Sequence, residues 1–364
     1  MTANNEIPET PPPPRHYLVA CGGTGGHLAP GIALAQALAR RGHAATLLIS
    51  DKPVDARLAG KYPALGFRKI SAAPLSFSPK KLARFLAAQT RGLREGLRLV
   101  REKRPAAIIG FGGFTSAAIV AAGLLRRVPV ALHESNRVPG RATRLLARFA
   151  RLVWLPPGVA APGMDASKIR FAGLPLREEI RPLPADAARA RLGLPPGGPV
   201  LSVLGGSQGA APLNAWALAA APALAAAGVR LRVITGLGKQ PADAPAGVCV
   251  PFTDDIPALL SASDLVVARA GAGTIAELVR CETPSVLVPY PQAADDHQRA
   301  NARHFAATGA ALVVEQDALA GLLPVVLSLL RDHGKQLAAM REALRRQAAD
   351  DPLPQILADI ERLS

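Results

Sequence analysis

Apolar and polar positions come in blocks along this chain, and the blocks recur in a fixed order. His16–Cys21 (HYLVAC) is a short apolar run of the kind that forms a buried strand. Gly22-Gly23-Thr24-Gly25-Gly26-His27 follows, and from Pro30 to Arg41 the apolar residues take helical spacing. The pattern then predicts strands at 45–50, 66–71 and 128–133, with helices at 54–61 and 80–104 between them. Ala106 to Leu125 carries no charge and is long enough to cross a bilayer. Its central Gly110-Phe111-Gly112-Gly113-Phe114 breaks it instead into a strand at 106–109, a turn and a helix at 115–127.

The order restarts at Pro199. Pro199–Leu204 is apolar, Gly205-Gly206-Ser207-Gln208-Gly209-Ala210 is glycine-rich, and Leu213–Ala227 is helical. Strands at 230–235, 247–252, 265–268 and 285–289 alternate with helices at 256–262 and 274–281. Such alternation predicts an α/β protein with doubly wound parallel sheets, and the two openings predict two Rossmann-like domains. We place the domains at 15–173 and 174–347, with the segment 348–364 ending in a helix that packs back on the first. Residues 156–199 hold nine prolines and read as a linker. Residues 1–14 lack a basic start and an apolar run, so they read as a disordered tail and not as a signal peptide.

Composition changes the picture in one respect. The chain of 364 residues carries a net charge of +16. Residues 1–173 hold 26 basic and 8 acidic side chains, residues 174–347 hold 16 and 15. The excess belongs to the first half and points to an anionic partner there, a membrane surface or a diphosphate. Aromatic residues make up only 4%, too few to interleave with the cations as a nucleic-acid platform does, so no nucleic acid is expected. Three well-separated cysteines build neither a disulfide framework nor a zinc site, and fit a reduced, cytosolic compartment.

Candidate chemistry gathers at the predicted carboxyl ends of strands. Glycine turns that lead into helices bring amides and a helix N-terminus close to an anion. The first turn has Leu28 where a dinucleotide fingerprint needs glycine or alanine, and neither turn ends in Gly-Lys-Ser/Thr. His27 closes the first turn near a helix start, where a neutral imidazole can serve as a base. His133-Glu134-Ser135-Asn136 follows a strand, and Glu134 is a second candidate base. Arg269 could pair with phosphate, and Glu277 is placed to accept ribose hydroxyls. No metal-ligating cluster is evident, so no bound metal is expected.

GGTGGH, GFGGF, HESN, GLPLR, GGSQGA, RAGAGTIAE and PYPQAADDHQRANA, in this order over residues 16–345, resemble the motifs of the MurG family of bacterial peptidoglycan glycosyltransferases. The resemblance implies a GT-B fold of two Rossmann-like domains facing a cleft, an inverting mechanism and no cofactor. It implies transfer of N-acetylglucosamine from UDP-N-acetylglucosamine to lipid I, giving lipid II. The donor would contact Thr24, Gly25, Gly26, Asn136, Arg177, Ser207, Thr253, Ala272, Gly273, Thr274, Ile275, Ala276, Glu277 and Gln298. Gly22, Gly23, Gly112 and Gly113 would serve the acceptor diphosphate. The enzyme would act in cell-wall biogenesis, and so in cell shape and division, as a peripheral protein on the cytoplasmic face of the inner membrane. Residues 68–104 hold 11 basic and 2 acidic side chains. Leu75, Phe77, Lys80, Lys81 and Arg84 are the expected contacts with an anionic leaflet.

Overall fold

The computed structural model describes residues 13–363 except 24, 73–78, 207–208, 241–246, 332–333 and 349, and leaves the side chains of 54, 79–82 and 114 undescribed. The expectations for Thr24, Leu75, Phe77, Ser207, nearly all of the 1–14 tail and the side chains of Lys80 and Lys81 therefore lie outside the described residues.

The first sheet comprises β1 (His16–Ala20), β2 (Ala44–Ile49), β3 (Gly66–Lys69), β4 (Ala107–Gly110), β5 (Val130–His133), β6 (Leu152–Leu155) and β7 (Ile169–Phe171). The second comprises β8 (Val200–Leu204), β9 (Arg230–Ile234), β10 (Cys249–Val250), β11 (Leu265–Ala268), β12 (Ser285–Leu287) and β13 (Ala311–Val313). Their orders are β3-β2-β1-β4-β5-β6-β7 and β10-β9-β8-β11-β12-β13, and every pairing is parallel. The helices of the first half are α1 (Gly25–Arg40), α2 (Pro53–Ala59), α3 (Pro79–Lys103), α4 (Phe114–Leu125), α5 (Arg141–Leu146) and α6 (Ala185–Arg191). Then come α7 (Ala211–Ala226), α8 (Ile256–Ala262), α9 (Ala272–Arg280), α10 (His297–Ala307), α11 (Leu322–Arg331), α12 (Lys335–Ala348) and α13 (Leu353–Leu363).

Both sheets are covered on both faces, which is why their strands read as unbroken apolar runs. In β1, Tyr17 and Val19 join the layer of α1 and α13, and Leu18 and Ala20 join the layer of α3 and α4. In β8, Leu201 and Val203 meet α7 and α11, while Leu204 joins the layer of α8, α9, α10 and α12. The segment at the chain's end crosses back: Leu353, Ile356, Leu357 and Ile360 enter the first domain's core. There Trp154 Nε1 donates to Asp359 Oδ2 at 3.0 Å.

Several elements differ from the sequence reading. α1 begins at Gly25, five residues before the apolar spacing starts, because glycines give that spacing no marker. The proline-rich stretch is not all linker: β7 and α6 lie inside it. β7 is three residues long, too short to show a period. The uncharged stretch divides into β4, a turn and α4, and among the described residues no helix is long and apolar enough to cross a membrane. α3 divides by function. A Cβ at Gly92 would lie 2.3 Å from Ser71 O, and one at Gly96 would lie 3.0 Å from Ala122 Cβ, so its second half packs tightly on α4. Val100 is buried there, whereas Leu86 in the first half is 56% exposed.

Candidate functional site

In each sheet the chain reverses its winding between two neighbouring strands, β1 and β4 in the first, β8 and β11 in the second. A crevice opens at the carboxyl ends of such strands. GGTGGH, GFGGF, GGSQGA and RAGAGTIAE follow these four strands.

The first turn is fastened from inside the protein. A Cβ on Gly22 would fall 2.4 Å from Ser50 N, so only glycine permits the approach. Gly22 N–H donates to Leu48 O at 3.0 Å, and Gly23 N–H donates to Asp55 Oδ2 at 2.9 Å. Both amides are engaged internally, so neither is open to an acceptor diphosphate. Thr115 Oγ1 donates to Gly22 O at 2.7 Å, and Lys52 Nζ donates to Gly23 O at 2.5 Å. The turn after β4 has Gly112 and Gly113 at φ +84° and +74°, a region that favours glycine. It lies against His27: a Cβ on Gly113 would sit 3.2 Å from His27 Nδ1.

Burial, the largest influence on His27, lowers its proton affinity below the ordinary histidine value. Glu134 and Asp55 pull it upward, while Lys52 and His297 push it down. The ring is therefore neutral at neutral pH, the form a base requires. Glu134, the other candidate, is differently placed. Its Oε1 accepts from the amides of Ser135 and Asn136, each at 3.0 Å, and from Asn136 Nδ2 at 3.1 Å. Its Oε2 accepts from Gly140 N–H and Thr143 Oγ1, each at 2.8 Å. A carboxylate holding five donors organises its own loop, a role different from that of a free base. His133 is buried, with Nε2 3.0 Å from Gly173 O and its ring tilted against Phe111.

In the second domain, Arg177 and Glu277 form the charged centre. Arg177 NH1 donates to Tyr62 Oη at 3.0 Å and lies 3.3 Å from Glu179 Oε1, while NH2 lies 3.4 Å from Glu277 Oε1. Tyr62 Oη in turn donates to Glu179. Burial disfavours the Arg177 charge, but Glu277, Tyr62 and Glu179 outweigh it and its proton affinity is raised. Burial lifts Glu277 above the usual carboxylate range, with Arg177 pulling it back. Arg269 is not available to a phosphate. Its NH1 donates to the carbonyls of Val288 and Pro289, and its NH2 donates to Gln316 Oε1, so it fastens the loop after β12.

The structure brings Gly26, Arg177, Thr253, Gly273, Thr274 and Glu277 to one cavity of about 400 Å³ between the domains. Leu204, Ile234, Leu237, Phe252 and Ile256 give it an apolar end of the kind that takes a flat heterocycle. Ala272, Ile275 and Ala276 line a different cavity, of about 940 Å³, together with Arg137 and Asn301. Asn136 does not line the first cavity either. Its Oδ1 accepts from Asn301 Nδ2 at 3.1 Å, a contact between domains. Gln298 Oε1 accepts from Tyr290 N–H at 3.0 Å, so what it offers a sugar is its NH2 group.

Sequence reasoning missed several residues of the cleft. Arg57 stacks over the Phe252 ring, 4.0 Å from its centroid, and Arg57 and Lys61 both pair with Asp254. Arg141 and Arg144 hold Asp295 at 3.2 and 2.9 Å. These contacts join domains far apart in sequence, and no spacing signals them. Asn301 stood inside a quoted motif and was the one that could have been singled out.

Two parallel α/β domains whose switch points face one another across a cavity of nucleotide size define a glycosyltransferase of the GT-B fold. Residues 17–154 match the Glycosyltransferase family 28 N-terminal domain and residues 200–353 the Glycosyltransferase family 28 C-terminal domain. A protein of Opitutus terrae named UDP-N-acetylglucosamine--N-acetylmuramyl-(pentapeptide) pyrophosphoryl-undecaprenol N-acetylglucosamine transferase is 51% identical, over 96% of this chain and 95% of its own. A Synechococcus protein of the same name is 38% identical, over 94% and 98%. A crystal structure of Acinetobacter baumannii MurG superposes with a TM-score of 0.71 at 26% identity, covering 96% of this chain and all of that one. The chain belongs to glycosyltransferase family 28, in its MurG branch.

Proposed function

We propose that the protein transfers N-acetylglucosamine from UDP-N-acetylglucosamine to the 4-hydroxyl of the N-acetylmuramoyl pentapeptide carried on undecaprenyl diphosphate, converting lipid I to lipid II. The observation that carries this reading is the Arg177–Glu277 pair at the cavity between the two switch points, in a chain 51% identical to a relative named for that reaction. The cavity's apolar end suits uracil, with Thr253 beside it. Glu277 is a carboxylate able to accept two ribose hydroxyls, and the α9 N-terminus with Arg177 answers the diphosphate charge. Gly26 and Gln298 approach the diphosphate and sugar from either side.

The acceptor oxygen attacks the anomeric carbon from the face opposite UDP. The new C–O bond forms as the bond to the β-phosphate oxygen breaks, so the configuration inverts and UDP leaves with the electron pair. Neutral His27 takes the acceptor's proton, and the growing phosphate charge is stabilised by Arg177 and the α9 amides. The acceptor enters beside the Gly112–Gly113 turn, which faces His27.

The same reading places the protein on the cytoplasmic face of the inner membrane as a peripheral enzyme. Supporting it are exposed apolar side chains among cations: Leu86 near Arg84 on α3, Leu125 beside Arg126 and Arg127, and Leu145 and Phe149 among Arg141, Arg144 and Arg148. Anionic headgroups attract such cations by about 1 kcal/mol each. In flotation with anionic vesicles, Lys80, Lys81 and Arg84 changed together to Glu are expected to release the protein, and unchanged binding sinks this part.

The activity is tested by incubating the protein with radiolabelled UDP-N-acetylglucosamine and a short-chain lipid I analogue. Label in the lipid product is expected. UDP binding without transfer would keep the donor site and refute the acceptor. His27→Ala is expected to lower kcat by about 10²–10⁴-fold with UDP affinity retained.

A further inference from the structure

Asp55 on α2 is a carboxylate with no exposed surface. Its Oδ2 accepts from Gly23 N–H at 2.9 Å, from Ser50 N–H at 3.0 Å and from Ser50 Oγ at 2.6 Å. It therefore clamps the turn after β1 to the segment after β2, the two stretches that meet where Gly22 admits no Cβ. Its Oδ1 is buried with no partner among the described residues. A carboxylate that served packing alone would be expected to have both oxygens satisfied.

The clamped turn leads into α1 and His27. Four ionisable groups act on His27 through their charge: Glu134 after β5 and Asp55 on α2 raise its proton affinity, while Lys52 before α2 and His297 at the start of α10 lower it. Of the two carboxylates, Glu134 is tied by five donors, whereas Asp55 Oδ1 has no partner among the described residues. The base changes from neutral to cationic when it takes a proton. A fixed negative charge nearby favours the cation.

We propose that Asp55 is a positioning residue for glycosyl transfer: through Gly23 it fixes the turn that carries His27, and its charge keeps that ring a competent base. The proposal rests on the reading of His27 as the base. The acceptor's proton passes to His27 and resides there until product leaves. α2 is braced from its other side, since Arg57 and the nearby Lys61 reach the Phe252–Asp254 loop of the second domain. The element that holds the turn thus also touches the loop assigned to uracil.

The test is the pH dependence of kcat for the full-length enzyme with UDP-N-acetylglucosamine and the lipid I analogue, from about pH 5 to 9. It compares the wild type with Asp55→Asn, Asp55→Glu, Ser50→Ala and His27→Ala. Wild-type kcat is expected to fall on the acid side as His27 is protonated. Asp55→Asn removes a charge that favours the imidazolium, so its acid limb moves to lower pH, by roughly 0.5–1 unit, and its plateau drops about 10-fold or more. Asp55→Glu keeps the charge and so keeps the limb, with a lower plateau. KM for the donor changes little in each, because the second domain holds the nucleotide.

A folded Asp55→Asn, judged by its melting transition and UDP affinity, overturns the proposal if its limb stays in place. Should that variant not fold, Ser50→Ala reads the same clamp: a lowered plateau at wild-type KM is expected, and an unchanged plateau overturns the proposal. An acid limb that persists in His27→Ala overturns the reading of His27 and the proposal with it. A limb that His27→Ala removes but Asp55→Asn leaves unmoved overturns the proposal alone.

Discussion

The two glycine turns are built alike and fastened differently. Each follows the first strand of a parallel sheet at its switch point. Each contains glycines that no other residue can replace: a Cβ on Gly22 would meet Ser50 N at 2.4 Å, and one on Gly209 would meet Thr235 O at 2.0 Å. In the first turn the fastener is the Asp55 carboxylate. Among the described residues of the second, the neutral, buried Asn214 holds the strand end that Gly209 approaches, donating Nδ2–H to Thr235 O at 2.9 Å. The backbone device is common to both domains, and the fastener decides its electrostatics. A negative fastener suits a turn whose neighbour gains a proton. On the proposed function, a neutral one suits a turn near the donor diphosphate, to which a second carboxylate would be hostile.

This comparison can be broken at several points. Gly209→Ala combines a clash with a positive φ of 66°, so it is expected to cost roughly 4 kcal/mol or to prevent folding, read by thermal denaturation. Gly206→Ala keeps a positive φ but meets open space, and is expected to cost only about 1–2 kcal/mol. Arg177→Ala leaves Glu277 buried without its cation. It is expected to lose about 2–4 kcal/mol of stability and to weaken UDP in calorimetry, and Arg177→Lys should not restore either, since a single ammonium nitrogen lacks the spread fork by which NH1 and NH2 reach Tyr62, Glu179 and Glu277. Asn214→Ala orphans the Thr235 carbonyl at about 1–3 kcal/mol but leaves the pH profile of kcat where it was, unlike Asp55→Asn. Lys61→Ala removes one exposed arm of the pairing with Asp254; about 0.2–1 kcal/mol is expected, fading with added salt.

The strand–turn–helix order was legible because strands covered on both faces leave continuous apolar runs. The strand carboxyl ends where chemistry gathers followed from that order, while the order of strands within each sheet came only with the fold. The roles of single side chains were less legible. Asp51, just past β2, is exposed and pairs with Lys69 at 3.5 Å. Asp55, four residues on in α2, belongs to none of the motifs. Its partner Gly23 lies 32 residues away and only the fold brings the two together. Arg269 and Glu134 sit in motifs at the right strand ends, but their side chains turn to local carbonyls and amides. Position along the chain predicts which loop a residue joins, while rotamer and partner decide what it can do there.

The bond between Trp154 and Asp359 spans 205 residues. The whole second sheet is encoded between those two partners. On a ribosome adding roughly 5–20 residues per second, the first domain waits on the order of 10–40 s after Trp154 emerges before α13 can seal its core. The later-made domain can thus reach its native state while the earlier one is still incomplete. Nascent chains halted just short of Leu353 should leave exposed the part of the first domain's core that Leu353, Ile356, Leu357 and Ile360 complete.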